Sequence, residues 1–268
     1  MAKNCVPGSF PHQSFCAEDT AAEDLPDDPT KGTRFSLPGP TSGIQLAGGS
    51  GGGGTEIIVI ATFPKPWASD AAEVQALNSK IWNPSDTDFL AVANKDASGA
   101  KIFTVNTFGK FLGAIQSVPA KRLARLNLIT HGISTLISMS GSINAATGVV
   151  TLNNNQSNSP LDGGMDIAAL QAVRGDSQLT NDLRGRFSGK QAEIFVYACH
   201  SGSGVGLLLL QEMATTFQAT VRGFRDSIFY CPAFNQASVV DRTITGVGSC
   251  ANARSGFRHL GPQQTAVP

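Results

Sequence analysis

Charge of either sign is in no excess, because 20 Lys and Arg residues are matched by 20 Asp and Glu in a chain of 268. A balanced chain has no long-range field to attract a polyanion, and no basic cluster stands out, so neither nucleic acid nor an anionic membrane surface is an expected partner. No run approaches the roughly 18 apolar residues that cross a bilayer. Residues 1–15 also lack the continuous apolar stretch of a secretory signal. The expectation is a soluble protein, cytoplasmic or delivered as an effector. Cysteine is scarce as well: Cys5, Cys16, Cys199, Cys231 and Cys250 are odd in number and widely spaced, with no C-x-x-C pair. That pattern argues against a disulfide framework and against a thiolate metal site, and it suits free thiols. The glycine run at 48–54 lacks both a preceding strand and the Gly-Lys-Ser/Thr ending of a phosphate loop, so no cofactor and no metal are expected.

What is present is concentrated after that run. Residues 1–54 are rich in Pro, Gly, Ser and acidic side chains and offer little to a core; they read as a disordered tail and linker. From 55 to 256 short apolar, β-branched runs alternate with segments of helical period, the signature of βαβ units on a mostly parallel sheet. Strands are predicted at 56–60, 101–105, 126–130, 193–198 and 220–224. Helices are predicted over 70–81, over 108–115 with Pro119 closing it, in a short segment capped by Asp166, over 178–187, and from about 204. Residues 136–143 and 149–152 flank a turn and predict a β-hairpin. Residues 228–234 read as a short strand or ordered loop, and 257–268 as a frayed tail.

Two of the strand-like runs end in reactive residues. Leu126-Asn127-Leu128-Ile129-Thr130 delivers His131 and Gly132, and Glu193-Ile194-Phe195-Val196-Tyr197-Ala198 delivers Cys199, followed by His200-Ser201-Gly202. C-terminal strand ends open into the crevice where α/β proteins bind ligands. A thiol needs a base or a positive environment to lower its pKa from about 8.5. His131 can supply the first, and the helix beginning near Gly204 the second. Gly132, lacking a side chain, lets its N–H approach a substrate carbonyl, and the Cys199 N–H is the natural second oxyanion donor. Nucleophile, acid/base and oxyanion donors are the parts required for acyl transfer. His200 is the competing base, but neighbours on an extended turn point to opposite sides.

A hydrophobic strand ending in His-Gly, then another ending in Ala-Cys with Ser-Gly after it, resembles the caspase-like cysteine peptidases of clan CD. The resemblance covers residues 125–226. It implies a caspase-like α/β/α sandwich with the hairpin inserted after the histidine strand, His131 as general acid/base, Cys199 as nucleophile, and a protein or peptide substrate cut by a Cys-His dyad, with self-processing as one outcome. It also implies substrate contacts from the residue before Ala-Cys, here Tyr197, where metacaspase-like members tend to carry Asp. Asp226, at the end of the fifth strand, is the other pocket candidate, although Arg222 and Arg225 beside it favour an acidic substrate residue. Two alternatives stand beside the peptidase: a catalytically silent scaffold of the same shape, and a Cys-His effector acting on glutamine side chains.

Overall fold

Ile57, Ile58, Val59 and Ile60 are all closed to solvent, the mark of a strand covered on both faces. That strand, β3 (Thr55–Ala61), belongs to a six-stranded sheet in a computed structural model that describes residues 5–7, 14–16, 54–64, 85–96, 99–144, 149–156, 158–189, 191–225, 228–231, 256–259 and 263–268. The chain divides into two compact units, Met1–Ser36 and Leu37–Pro268. Within the first, β1 (Cys5–Pro7) pairs antiparallel with β2 (Ser14–Cys16), a strand pair in a stretch expected to carry none.

In the second unit the sheet adds β4 (Lys101–Val105), β5 (Leu123–Ile129), β10 (Glu193–Tyr197), β11 (Thr220–Phe224) and β14 (Gln263–Ala266). Their order is β14-β11-β10-β5-β3-β4. Every pairing is parallel except that of β14 with β11. Alternate residues divide the strands between two faces. Ile57, Val59, Leu126, Leu128, Ile194 and Val196 join the core formed with α2 (Phe108–Gln116), α3 (Ile167–Gly175), α4 (Ser177–Arg186) and α5 (Val205–Phe217). Ile58, Ile60, Ile129, Tyr197 and Phe224 instead meet Phe89 and Ala93 of α1 (Asp86–Asp96). The result is a mixed α/β fold with a mostly parallel central sheet and helices on both faces.

In that order the sole rightward step, from β3 to β4, carries α1 on one face, and the leftward steps carry α2 to α5 on the other. Changing face with direction keeps the crossovers of one hand. The direction of winding therefore switches beside β3, and the crevice this creates lies outside the C-terminal ends of β3 and β5.

Most predicted elements correspond to elements of the structure. Thr107 caps α2, Asp166 caps α3 through the Ala169 N–H, and Asp176 caps α4. The helix predicted over 70–81 lies outside the described residues. α1 was not predicted, because Phe89-Leu90-Ala91-Val92 is one contiguous apolar run without helical spacing. The single predicted hairpin is two: β6 (Gly132–Ile133) with β7 (Leu136–Ile137), and β8 (Gly141–Ile143) with β9 (Val150–Leu152). Buried Ser138 sits between them, its hydroxyl donating to the Ser140 carbonyl at 2.6 Å and marking the corner that divides the run.

The C-terminal stretch is also corrected. β12 (Ile228–Cys231) pairs with β13 (Gly256–His259), and β14 closes the sheet edge rather than fraying. Gln263-Gln264-Thr265-Ala266 gave no strand signal because an edge strand buries little, and here Ala266 alone is fully buried.

Candidate active site

β5 and β10 are neighbours. Their parallel register ends with Tyr197 opposite Ile129, and one further rung, the Thr130 N–H on the Tyr197 carbonyl at 3.1 Å, follows it. His131 and Cys199 stand two residues beyond that last pair, on backbones that a parallel ladder spaces about 4.8 Å apart. Alternation continues the face for the histidine: Ile129 belongs to the α1 face, so His131 falls on it too, while Cys199 stands in the turn that follows β10. The imidazole is placed accordingly. It lies edge-on to Phe63 with centroids 4.7 Å apart and beside Phe89 of α1 at 5.4 Å, and it is 9% exposed.

Both rings are themselves held. Phe63 packs with Ile143 of β8, and a methyl added at Gly141 would come within 2.5 Å of the Phe63 ring. The second hairpin thus backs the ring that flanks the histidine. The His131 carbonyl accepts the Ser138 N–H at 3.1 Å and the Thr130 hydroxyl at 3.1 Å, which fixes the backbone where the strand enters the hairpin.

Gly132 lies against the cysteine strand. A Cβ there would come within 3.1 Å of the Ala198 Cβ and 3.7 Å of the Cys199 carbonyl. Its partner across the first hairpin is Ile137, whose N–H and C=O are both bonded to Met165, at 3.0 and 2.8 Å. The Gly132–Ile137 pair is therefore of the non-hydrogen-bonded kind, and the Gly132 amide points away from β7. Thr130, two residues earlier, directs its N–H to β10. The same parity sends the Gly132 N–H toward the Cys199 side.

After Cys199 the chain reverses at once. His200 adopts φ +55°, and Gly204 φ +49° at the N-cap of α5, where no side chain caps the helix. A Cβ at Gly206 would sit 2.6 Å from the His200 carbonyl, so the first turn of α5 abuts the residue next to Cys199. Its first turn is closed by backbone, the Gly206 N–H donating to the Ser203 carbonyl at 2.7 Å and the Leu207 N–H to the Gly204 carbonyl at 3.1 Å, and the aligned peptides give that end partial positive character.

No family model matches the chain, and no curated protein matches it.

Of the five residues singled out from sequence, His131, Gly132 and Cys199 share this rim. Tyr197 does not open onto it: at 2% exposure it packs with Phe224, centroids 5.8 Å apart, because its position in the strand points it beneath α1. Asp226 lies outside the described residues. Arg222 is committed elsewhere, since it donates to Glu193 at 2.9 Å and sits 2.8 Å from it as an ion pair. Asp166 caps α3, its carboxylate accepting the Ala169 N–H at 2.8 Å.

Sequence reading missed a polar row at the opposite, N-terminal end of the same strands. Glu56 accepts from Asn127 at 2.6 Å, Arg125 pairs with Glu193 at 3.5 Å, and Arg125 and Arg222 both lie over the Phe195 ring. Alternating charges at i, i+2 positions of neighbouring strands were the available signal. Burial pushes the Glu56 carboxyl above its ordinary range, against the lowering pull of the Asn127 hydrogen bond and the Arg125 charge. Among the described residues, no three His, Cys, Asp or Glu side chains come together in a group fit to hold a metal ion. No described helix is long and apolar enough to cross a membrane.

Proposed function

We propose that this chain is a cysteine endopeptidase of caspase-like fold. The observation that carries the reading is the shared register of β5 and β10, which brings the strand ends leading to His131-Gly132 and to Cys199 side by side. Cys199 Sγ, as thiolate, attacks the peptide carbonyl carbon, and the carbonyl electrons move onto oxygen. The Gly132 and Cys199 N–H groups receive that oxyanion. His131 protonates the departing amine nitrogen as the C–N bond breaks, leaving a thioester on Cys199. The imidazole then takes a proton from water, whose oxygen attacks the thioester and releases the acid and the thiolate.

Each component has a physical support. The aromatic contacts of Phe63 and Phe89 fix the plane of the imidazole, and the first turn of α5 adds positive potential near the thiolate. Parallel strands covered on both faces are stiff, so the rim they end on holds its groups in place.

The test is product analysis by mass spectrometry of a denatured-proteome peptide library incubated with the wild-type chain and with Cys199→Ala. New peptide termini produced only by the wild type support the reading. Termini that persist with Cys199→Ala remove Cys199 as the nucleophile. Conversion of glutamine to glutamate with release of ammonia and no new termini establishes the side-chain effector instead. An unreactive Cys199 with no product of either kind establishes the scaffold.

A further inference from the structure

The ladder between β10 and β11 stops short. Its register runs from Glu193–Thr220 to Phe195–Arg222, although β10 continues to Tyr197 and β11 to Phe224. Where the next backbone rung belongs, a side chain stands. The Phe224 N–H donates to Ser201 Oγ at 3.1 Å, and the same hydroxyl donates to the Val196 carbonyl at 3.4 Å. The following residue closes the clasp, with the Gly202 N–H on the Phe224 carbonyl at 2.8 Å. Ser201 is 0% exposed.

The surroundings leave this serine no latitude. A Cβ at Gly223 would lie 2.8 Å from Ser201 Oγ, and one at Gly202 would lie 2.8 Å from the Gln264 Cβ of the edge strand. Between Ser201 and Cys199 is only His200, in the left-handed region, whose reversal turns the chain inward. The position of Cys199 is thereby set by what its turn grips two residues later. A buried hydroxyl that links β10 to β11 is a fixed point, and the strand end that carries Cys199 is short enough to follow it.

We propose that Ser201 is the positioning residue for the Cys199 thiol, completing the sheet with its side chain where the backbone ladder ends and so tying the nucleophile's placement to the end of β11. This rests on the peptidase reading of Cys199. Replacing the hydroxyl by hydrogen leaves the Phe224 N–H without its acceptor, frees the turn, and lets Cys199 leave the orientation that His131 serves.

The experiment measures iodoacetamide alkylation of Cys199 at pH 7 by peptide mass spectrometry, beside steady-state hydrolysis of a peptide cleaved by the wild type. Ser201→Ala is expected to slow Cys199 alkylation at least tenfold and to lower kcat with KM held within twofold. Arg184→Ala, which loosens the α4–α5 contact away from the turn, leaves alkylation within twofold and controls for lost stability. The unmutated chain supplies a second measurement that needs no variant to fold. Sub-denaturing urea that opens the clasp, read as faster hydrogen exchange at the Phe224 amide, is expected to slow Cys199 alkylation in parallel. Alkylation of Ser201→Ala at the wild-type rate, or Cys199 alkylation that stays unchanged in urea that frees the Phe224 amide, overturns the inference. His131→Ala separates the two claims: if it slows alkylation while Ser201→Ala does not, the clasp alone is wrong, and if it has no effect the peptidase reading falls first.

Discussion

Substituting Gly132 by Ala tests the oxyanion assignment apart from the thiol's own reactivity. The new Cβ would sit 3.0 Å from the Leu136 carbonyl and 3.1 Å from the Ala198 Cβ. Both contacts are tighter than most Cβ contacts, and one is with backbone, so the neighbours must give by a few tenths of an ångström. Overpacking of this kind costs about 1–3 kcal/mol, which for a domain of this size lowers Tm by about 2–4 °C per kcal/mol. The catalytic consequence is larger. The displaced amide no longer meets the oxyanion, and loss of one such donor costs about 100- to 1,000-fold in kcat. Alkylation by iodoacetamide forms no oxyanion and is spared that loss. Gly132→Ala should therefore reduce peptide hydrolysis about 100-fold while Cys199 alkylation falls less than about threefold. The assay is the pair of rate constants on the same preparation. A parallel fall in both, or hydrolysis at the wild-type rate, refutes the assignment.

Three further outcomes follow from the geometry. Glu56→Gln should raise Tm at pH 7.5 and flatten its pH dependence above the ordinary carboxylate range. The Glu56 carboxyl is raised by burial, so its stabilising contribution is complete below the unfolded value and lost as pH rises through the folded one. A neutral isostere that lowers Tm at pH 7.5 contradicts this. Arg184→Ala should destabilise by about 1.5–3 kcal/mol in urea unfolding, since a charged donor is removed from a helix end. Arg184 donates to the Thr216 and Thr215 carbonyls at 3.0 and 2.9 Å in the last turn of α5; an unchanged midpoint contradicts it. Gln218→Gly should stabilise by about 0.5–1 kcal/mol. Gln218 closes α5 at φ +54° and ψ +44°, where a side chain is strained. Thermal melts decide it, and a lower Tm would show that the 3.1 Å bond from Gln218 Nε2 to the Thr215 carbonyl outweighs the strain.

The parts of the fold legible in the sequence are those whose signal is local and apolar. Ile57-Ile58-Val59-Ile60 announces a doubly covered strand, and Asp166 announces a helix start, because caps and buried runs depend on neighbours in sequence. α1 escaped because buried Phe89 and Ala93 stand in a contiguous apolar run that shows no helical period, and β14 because an edge strand needs no apolar alternation. The rim was legible for the same reason as the strands, since His131 and Cys199 terminate them. What holds the rim was not. Phe63 reaches His131 from the end of another strand, and Ser201 reaches Phe224 across 23 positions. Tyr197 was misjudged through its neighbours in sequence: standing two before Cys199, it shares the α1 face but sits one layer deeper, under the helix.

The spatial meeting of imidazole and thiol can be measured without any substrate. The chain holds four histidines, so the His131 ring can be assigned by NMR and titrated in the wild type and in Cys199→Ser. A thiolate beside an imidazole favours its charged form, and the two groups titrate as a pair. Replacing the thiol by a hydroxyl is expected to shift the His131 titration midpoint downward. A His131 midpoint identical in the two proteins would contradict it.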